Sequence, residues 1–200
     1  MIFDLDKFLI IFITQKKYYM KNLIIDNAHS EIGFKVKHLM ISTVKGNFTT
    51  FSGGVDEKGE VSVSINVNSI NTGNVDRDNH LKSADFFNAE EFPTMTFISK
   101  TDYGYDNSNL MSDRIVGELT IKGITLPIVL DVEYNGKSVD PWGNTKHGFE
   151  INGVINRNNY GLTWNAPLET GGVLVSEDVK LSIDLQLMEV VEEMVTESAE

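Results

Sequence analysis

The chain contains no cysteine, which excludes disulfides, thiolate chemistry, zinc–cysteine sites and iron–sulfur clusters. This absence fits any compartment and assigns none. Positive charge is scarce: 17 Lys and Arg stand against 29 Asp and Glu, a formal net charge of -12. Such a balance argues against a nucleic-acid partner, because a phosphate backbone requires clustered Lys and Arg. It also disfavours electrostatic docking onto anionic lipid headgroups, and its simplest role is solubility. Long hydrophobic runs are missing too. Phe8 to Ile13 is an apolar run of six residues, where a membrane-spanning helix needs about 20. What remains, 41% hydrophobic and 10% aromatic residues over 200 positions, suits one globular domain with a substantial core.

The N-terminus does not read as an export signal. Such a signal has a basic start, a longer apolar stretch and a small-residue cleavage site. Here Asp4 and Asp6 precede the apolar run, and Gln15-Lys16-Lys17-Tyr18-Tyr19 follow it. Met20 offers a simpler beginning, since Lys21-Asn22-Leu23 lead directly into the first strand. Residues 1–19 are therefore expected to be an extension that a start at Met20 would omit, with a weak interfacial anchor helix as the alternative. One domain is expected over 20–188, followed by an acidic tail, 189–200, that is either a short amphipathic end or frayed.

Period-two alternation dominates the domain. Val61, Val63, Ile65 and Val67 oppose Ser62, Ser64, Asn66 and Asn68. Val179, Leu181, Ile183, Leu185 and Leu187 oppose Lys180, Ser182, Asp184 and Gln186. Segments 31–37 and 126–134 repeat the pattern, with Ile32, Phe34 and Val36 on one dry face and Leu126, Ile128, Leu130, Val132 and Tyr134 on another. One dry face and one wet face mark antiparallel strands. Glu57-Lys58-Gly59 and Asn135-Gly136 read as hairpin turns, since Asn and Gly accept positive φ. Asn152-Gly153 is a turn, a bulge or a close backbone approach. Thr101 to Asp113 reads as a polar loop. Asn74 to Asn88 lacks alternation, begins with a capping Asn and carries Asp76 and Asp78 early, so it predicts one short helix, or two, ending before Pro93. Many one-sided strands with little helix leave a sandwich or a barrel, and alternation does not choose between them.

The order of motifs does. Ile25-Asp26-Asn27-Ala28-His29-Ser30-Glu31-Ile32-Gly33-Phe34-Lys35-Val36-Lys37-His38 resembles the opening strand of the YceI family. Val44-Lys45-Gly46-Asn47-Phe48, Phe51-Ser52-Gly53, the run Asp76 to Phe87, and Phe92-Pro93-Thr94-Met95-Thr96-Phe97 follow in family order. So do Gly117 to Thr125, Asp140-Pro141-Trp142-Gly143, and Ile155 to Asn165. Each piece is weakly specific; their shared order spans nearly the whole domain. The resemblance implies a mainly β, single-domain, eight-stranded antiparallel lipocalin-like barrel. It implies a bacterial, soluble lipid-binding protein with a polyisoprenoid, an isoprenoid quinone or prenyl phosphate, as ligand and no other cofactor. Many members of the family are exported to the periplasm; without a convincing signal, this chain is expected in the cytoplasm, with export as the alternative. A homodimer is an assembly the resemblance suggests; stable membrane insertion is not expected.

Apolar burial can supply such binding. At about 0.8 kcal/mol per methylene-sized group, ~20 buried carbons give an upper bound of ~16 kcal/mol, from which lost chain freedom is subtracted. Candidate lining residues are Phe34, Val36, Phe48, Phe97, Leu119, Ile121, Phe149, Ile151, Leu181, Ile183 and Leu185, each of which would equally serve as plain core. Arg77 and His80, in the non-strand segment, are candidates for the polar end of a ligand at the barrel mouth. Arg77 would alternatively pair with Asp78, and Arg157 has the same two readings. Trp142 and Trp164 plug the barrel ends, line them or pack in the core. His29, His38, His80 and His147 lack metal-ligand spacing, and no nucleophile-elbow motif is present. An enzyme acting on a small amphiphile through His, Asp and Arg at the mouth is the alternative to a binding protein, and a filled barrel serving as an interaction module is a third reading. N-terminal sequencing of the native protein checks the expected start: a mature chain beginning near Met20 is the expected result, and one beginning at residue 1 rejects it.

Overall fold

The fold comes from a computed structural model that describes residues 22–100, 113–167 and 173–190. Residues 1–21, residues 101–112 of the expected polar loop, and residues 191–200 of the acidic tail lie outside the described residues. The elements are β1 (Leu23–Ile25), β2 (Glu31–His38), β3 (Ser42–Phe48), β4 (Phe51–Val55), β5 (Val61–Asn66), β6 (Ile70–Asn71), α1 (Val75–Lys82), β7 (Thr94–Ser99), β8 (Arg114–Ile121), β9 (Ile124–Val139), β10 (Thr145–Asn156) and β11 (Val175–Glu189). β1 and β2 form one path, bent by a single 3-10 turn at Asn27–His29 that the Asp26 carboxylate caps. β3 and β4 form a second path, broken at Thr49-Thr50.

Counted as paths, eight strands close into an antiparallel barrel. β5, β7, β8, β9, β10 and β11 pair in series. β11 then changes partner along its free edge, pairing with β2 from Val175 to Asp184 and with β1 from Leu187 to Glu189. β1 pairs with β4 and β4 with β5, which completes the ring at the lower end. At the upper end β3, on the edge away from β2, meets only β6, through Asn47 and Phe48, so the ring is not hydrogen-bonded between β3 and β5 there. The segment containing α1 packs into this opening, with the Phe87 ring edge-on to Phe48 at 6.1 Å between centroids.

Local chemistry explains the connections. Asn74 starts α1 by accepting the Arg77 N–H at 2.9 Å, as its sequence position predicts; only one helix forms. At Glu57-Lys58-Gly59 the Asp56 carboxylate accepts the N–H groups of Lys58 and Glu60, and Gly59 takes φ 83°. Asn135-Gly136 is not a turn. β9 runs straight through it, and the pairing register shifts between Gly148 and Phe149, whose partners are Gly136 and Tyr134. The positive φ that suits a hairpin serves a bulge instead, with Gly136 at φ 103°. The hairpin turn lies four residues later, where Asp140 accepts the N–H groups of Trp142 and Asn144. Asn152-Gly153 also stays within a strand. A Cβ at Gly153 would stand 2.6 Å from Leu130 Cδ2, so glycine admits the Leu130 side chain against the backbone.

Two apolar clusters face the interior. Leu23, Val55, Phe149 and Leu187 form a small cluster that floors the lower end. Beside it Lys146 and Asp26 pair at 2.6 Å, and this hydrogen bond holds the Asp26 carboxyl below its usual range. The larger cluster lines the rest of the barrel. At the floor the β1 and β4 backbones approach so closely that a Cβ on Gly54 would collide with the Leu23 carbonyl oxygen. Gly54→Ala is therefore expected to destabilise the fold by at least about 2 kcal/mol. Gly148→Ala, whose Cβ would meet Asn135 at an ordinary 3.5 Å, should change stability little; equilibrium denaturation of both variants checks the contrast.

An apolar cavity inside the barrel

The inward faces of the strands do not meet. They surround a cavity of about 190 Å³, measured as room for the centre of a water molecule, with walls almost wholly of carbon. The alternation explains the walls: every second residue of a half-wet strand faces inward, and those residues here are Val, Ile, Leu, Met and Phe. Phe34 and Val36 of β2, Phe48 of β3, Phe97 of β7, Leu119 and Ile121 of β8, Ile151 of β10, and Leu181, Ile183 and Leu185 of β11 all line it. Phe149 does not. It sits in the floor cluster, against the Tyr134 ring at 5.1 Å between centroids.

Other lining residues were not among the sequence-based candidates. Leu81, Phe86 and Phe87 come from the one non-strand segment and cap the opening beside β3. Their signal was three large apolar residues in a run otherwise polar and without strand alternation. Val175 escaped for another reason: the β11 pairing is irregular between Val175 and Val179, and Glu177 breaks the period-two pattern there, whereas Val179 heads the alternating run with the inward phase.

Arg77 and His80 lie outside the cavity lining. Arg77 donates from Nε to Thr72 Oγ1 at 2.7 Å and from Nη2 to the Thr72 carbonyl at 2.8 Å. Asp78 accepts from the same threonine, through its N–H at 2.9 Å and its hydroxyl at 2.6 Å. The two charged residues thus converge on Thr72, and an Arg77–Asp78 ion pair is not formed. His80 stands 3.0 Å from Asp85 and edge-on to both Phe86 and Trp164, with centroids at 5.1 and 4.8 Å. Trp164 therefore belongs to the cap, but Trp142 is 82% exposed on the β9–β10 turn and neither plugs nor lines the barrel. His29 meets Asp26, and His147 lies between Tyr134 and Glu189. No group of residues suited to a metal ion occurs among the described residues.

Arg157 is the single charged residue of the lining, and it is 3% exposed. It begins the 3-10 turn Arg157–Tyr160 at the end of β10, which carries it into the upper end of the barrel. Its guanidinium donates to four backbone carbonyls: Ser176 at 2.9 Å, Trp164 at 2.9 Å, Val175 at 3.3 Å, and Leu162. These acceptors are all main chain, and burial pushes its pKa below the usual arginine value. Neither sequence-based reading of this residue describes what it does: it clamps the segments 162–164 and 175–176 together with hydrogen bonds to main chain.

Comparison with known proteins agrees with this geometry. Residues 23–187 match the model of the YceI-like domain. UPF0312 protein SAS2572 of Staphylococcus aureus is 44% identical over 168 residues, covering 80% of this chain and 94% of that protein. The crystal structure of a Campylobacter jejuni YceI protein superposes with a TM-score of 0.64 at 37% identity, covering 83% of this chain and 96% of that one. A polyisoprenoid binding domain from Saccharophagus degradans shares the fold, with a TM-score of 0.61 at 16% identity, covering 86% of this chain and all of that one.

Removing the Arg157 clamp would strand several buried carbonyls without donors. Arg157→Leu is expected to cost more than about 3 kcal/mol of stability, and Arg157→Lys to recover only part of it, because an ammonium cannot span four acceptors in the guanidinium plane. Thermal and urea denaturation of both variants measure this.

Proposed function

This chain belongs to the YceI-like family, and we propose that its barrel holds the apolar chain of a polyisoprenoid lipid, an isoprenoid quinone or a prenyl phosphate, as carrier or reservoir. The observation that carries the reading is the unfilled, carbon-walled cavity at the centre of the barrel. Hydrocarbon is expelled by water and gains by entering such a space. The relative from Saccharophagus degradans, described as a polyisoprenoid binding domain, supports the choice of ligand class.

The volume bounds the ligand. An apolar cavity of about 150 Å³ holds one benzene, so this one, at about 190 Å³, takes roughly seven or eight carbons. That corresponds to one or two isoprene units fully inside. Their burial contributes at most ~6 kcal/mol, from which ordering of the chain is subtracted. A longer chain would project from the mouth or spread the cap formed by Leu81, Phe86 and Phe87. Binding of this kind requires no catalytic group. The alternative, an enzyme using His80 and Arg77, finds those side chains engaged with Asp85 and Thr72 outside the cavity. No helix among the described residues is long and apolar enough to cross a membrane, and the expected cytoplasmic location belongs to this proposal.

Mass spectrometry of organic extracts tests it. Protein purified from several hosts is expected to release one isoprenoid lipid per chain, and Val63→Trp, which places an indole in the cavity, should remain folded by circular dichroism and lose most of that lipid. Extracts free of lipid from every host would overturn the proposal.

A further inference from the structure

The tip of the β2–β3 hairpin exposes apolar side chains that the fold leaves uncovered. Met40 is 64% and Ile41 84% exposed. The tip is not a slack loop. The Ile41 N–H donates to the His38 carbonyl at 3.3 Å, the Ser42 hydroxyl donates to the same oxygen at 3.1 Å, and the Leu39 N–H donates to the Leu174 carbonyl at 2.8 Å. Leu39 and Met40 take φ 53° and 59°, left-handed conformations that a two-residue hairpin turn normally assigns to Asn and Gly. Large apolar residues therefore sit where small polar ones would be less strained and better hydrated. The tip also adjoins the ligand site. It begins three residues past Val36, a wall of the cavity, about 10 Å along the strand.

Charge on the adjoining outer face is sorted along the strands. Lys180, Lys35 and Lys45 stand directly beside one another across β11, β2 and β3, with Lys37 one outward position nearer the tip. All four are exposed, and none makes an ion pair with a described residue; Lys35 reaches only the Ser182 hydroxyl, at 3.3 Å. Like charges placed side by side across strands oppose pairing unless something neutralises them. Further from the tip, Glu133, Glu150, Asp184 and Glu31 form a second row, across β9, β10, β11 and β2. Two acids interrupt this sorting: Glu177 and Asp178 lie on the irregular stretch of β11 between Val175, which faces His38, and Val179, which faces Val36, so they stand level with Lys37, and Glu177 accepts from Asn156. A surface touching the tip would stand ~13 Å from Lys35 and Lys45 but ~27 Å from Glu31. With a Debye length of about 8 Å, it would sense the four lysines, together with Glu177 and Asp178, far more than the carboxylate row, and the lysines outnumber those two acids. The net charge of -12 is a sum, and it does not describe this end of the molecule.

We propose that the β2–β3 tip docks the barrel onto an anionic lipid bilayer. Met40 and Ile41 enter the headgroup region, and Lys37, Lys35, Lys45 and Lys180 face the lipid phosphates. Docking in this pose sets the upper end of the cavity against the membrane, the source of any apolar chain. It is a peripheral contact made by a few side chains, without insertion of a strand or helix.

Flotation with vesicles tests the proposal on the full chain. Wild-type protein is expected to float with vesicles of phosphatidylcholine containing about one third phosphatidylglycerol, far more than with phosphatidylcholine alone, and to be released as salt rises. The double variant Met40→Ser, Ile41→Ser should bind at least about tenfold more weakly. Lys35→Gln with Lys45→Gln should weaken binding and flatten its salt dependence, and Lys58→Gln, at the opposite end of the barrel, should leave binding unchanged. Absence of flotation, or flotation equal in tip variants and wild type, overturns the proposal. So does a wild-type dimer by light scattering that the tip variants convert to monomer while no form binds vesicles, because the tip would then be a seam between copies. Lipid extracted from the same preparations is measured separately, so an empty barrel that still docks rejects the proposed cargo and leaves this inference standing.

Discussion

Backbone hydrogen bonding around a closed ring is the constraint on which the rest of the molecule depends. β11 makes the closure possible by serving two partners on one edge, β2 above and β1 below. Once the ring is closed, its circumference is set by strand number and tilt and not by the side chains within it. A sandwich with the same sequence pattern could draw its sheets together until their side chains interlocked. A ring held by backbone pairing cannot, so the inward residues line a space that they do not fill.

The two ends meet this constraint differently. Below, β1 and β4 approach over Gly54, and Leu23, Val55, Phe149 and Leu187 pack solidly. Above, the ring is incomplete between β3 and β5, and α1 with its following turn supplies Leu81, Phe86 and Phe87 as a cap built of side chains. A cap held by side-chain packing opens at lower cost than a ladder of backbone bonds. Arg157 limits how far the upper end yields, since its hydrogen bonds tie 162–164 to 175–176. Floor and cap thus close the two ends by different means, and the apolar tip of the β2–β3 hairpin projects from the capped end.

Much of the site was legible because period two is a strong signal. Phe34, Phe97 and Ile121 faced inward where alternation was unbroken, as did Leu181, Ile183 and Leu185 along β11. Where the reading failed, a nonlocal fact was responsible. Phe149 keeps the inward phase but lies below the cavity, and height along the barrel depends on register with β9 and β11. Arg77 and His80 find local partners, Thr72 and Asp85, whose separations of five residues carry no sequence signature. Asn135-Gly136 offered the backbone freedom of a turn, and pairing between β9 and β10 used it for a bulge.

The sequence by itself determined that the strands are one-sided, that a capped helix interrupts them, and, through the order of its motifs, which family the chain belongs to. These are local or linear properties, carried by side-chain alternation and by short runs of residues. Tertiary structure alone decided that the inward faces stay apart, that Arg157 is satisfied by carbonyls rather than by an acid, and that Lys180, Lys35 and Lys45 share one row. Each of those depends on which strands lie side by side and in what register, and a register is a relation between distant segments that no single segment encodes.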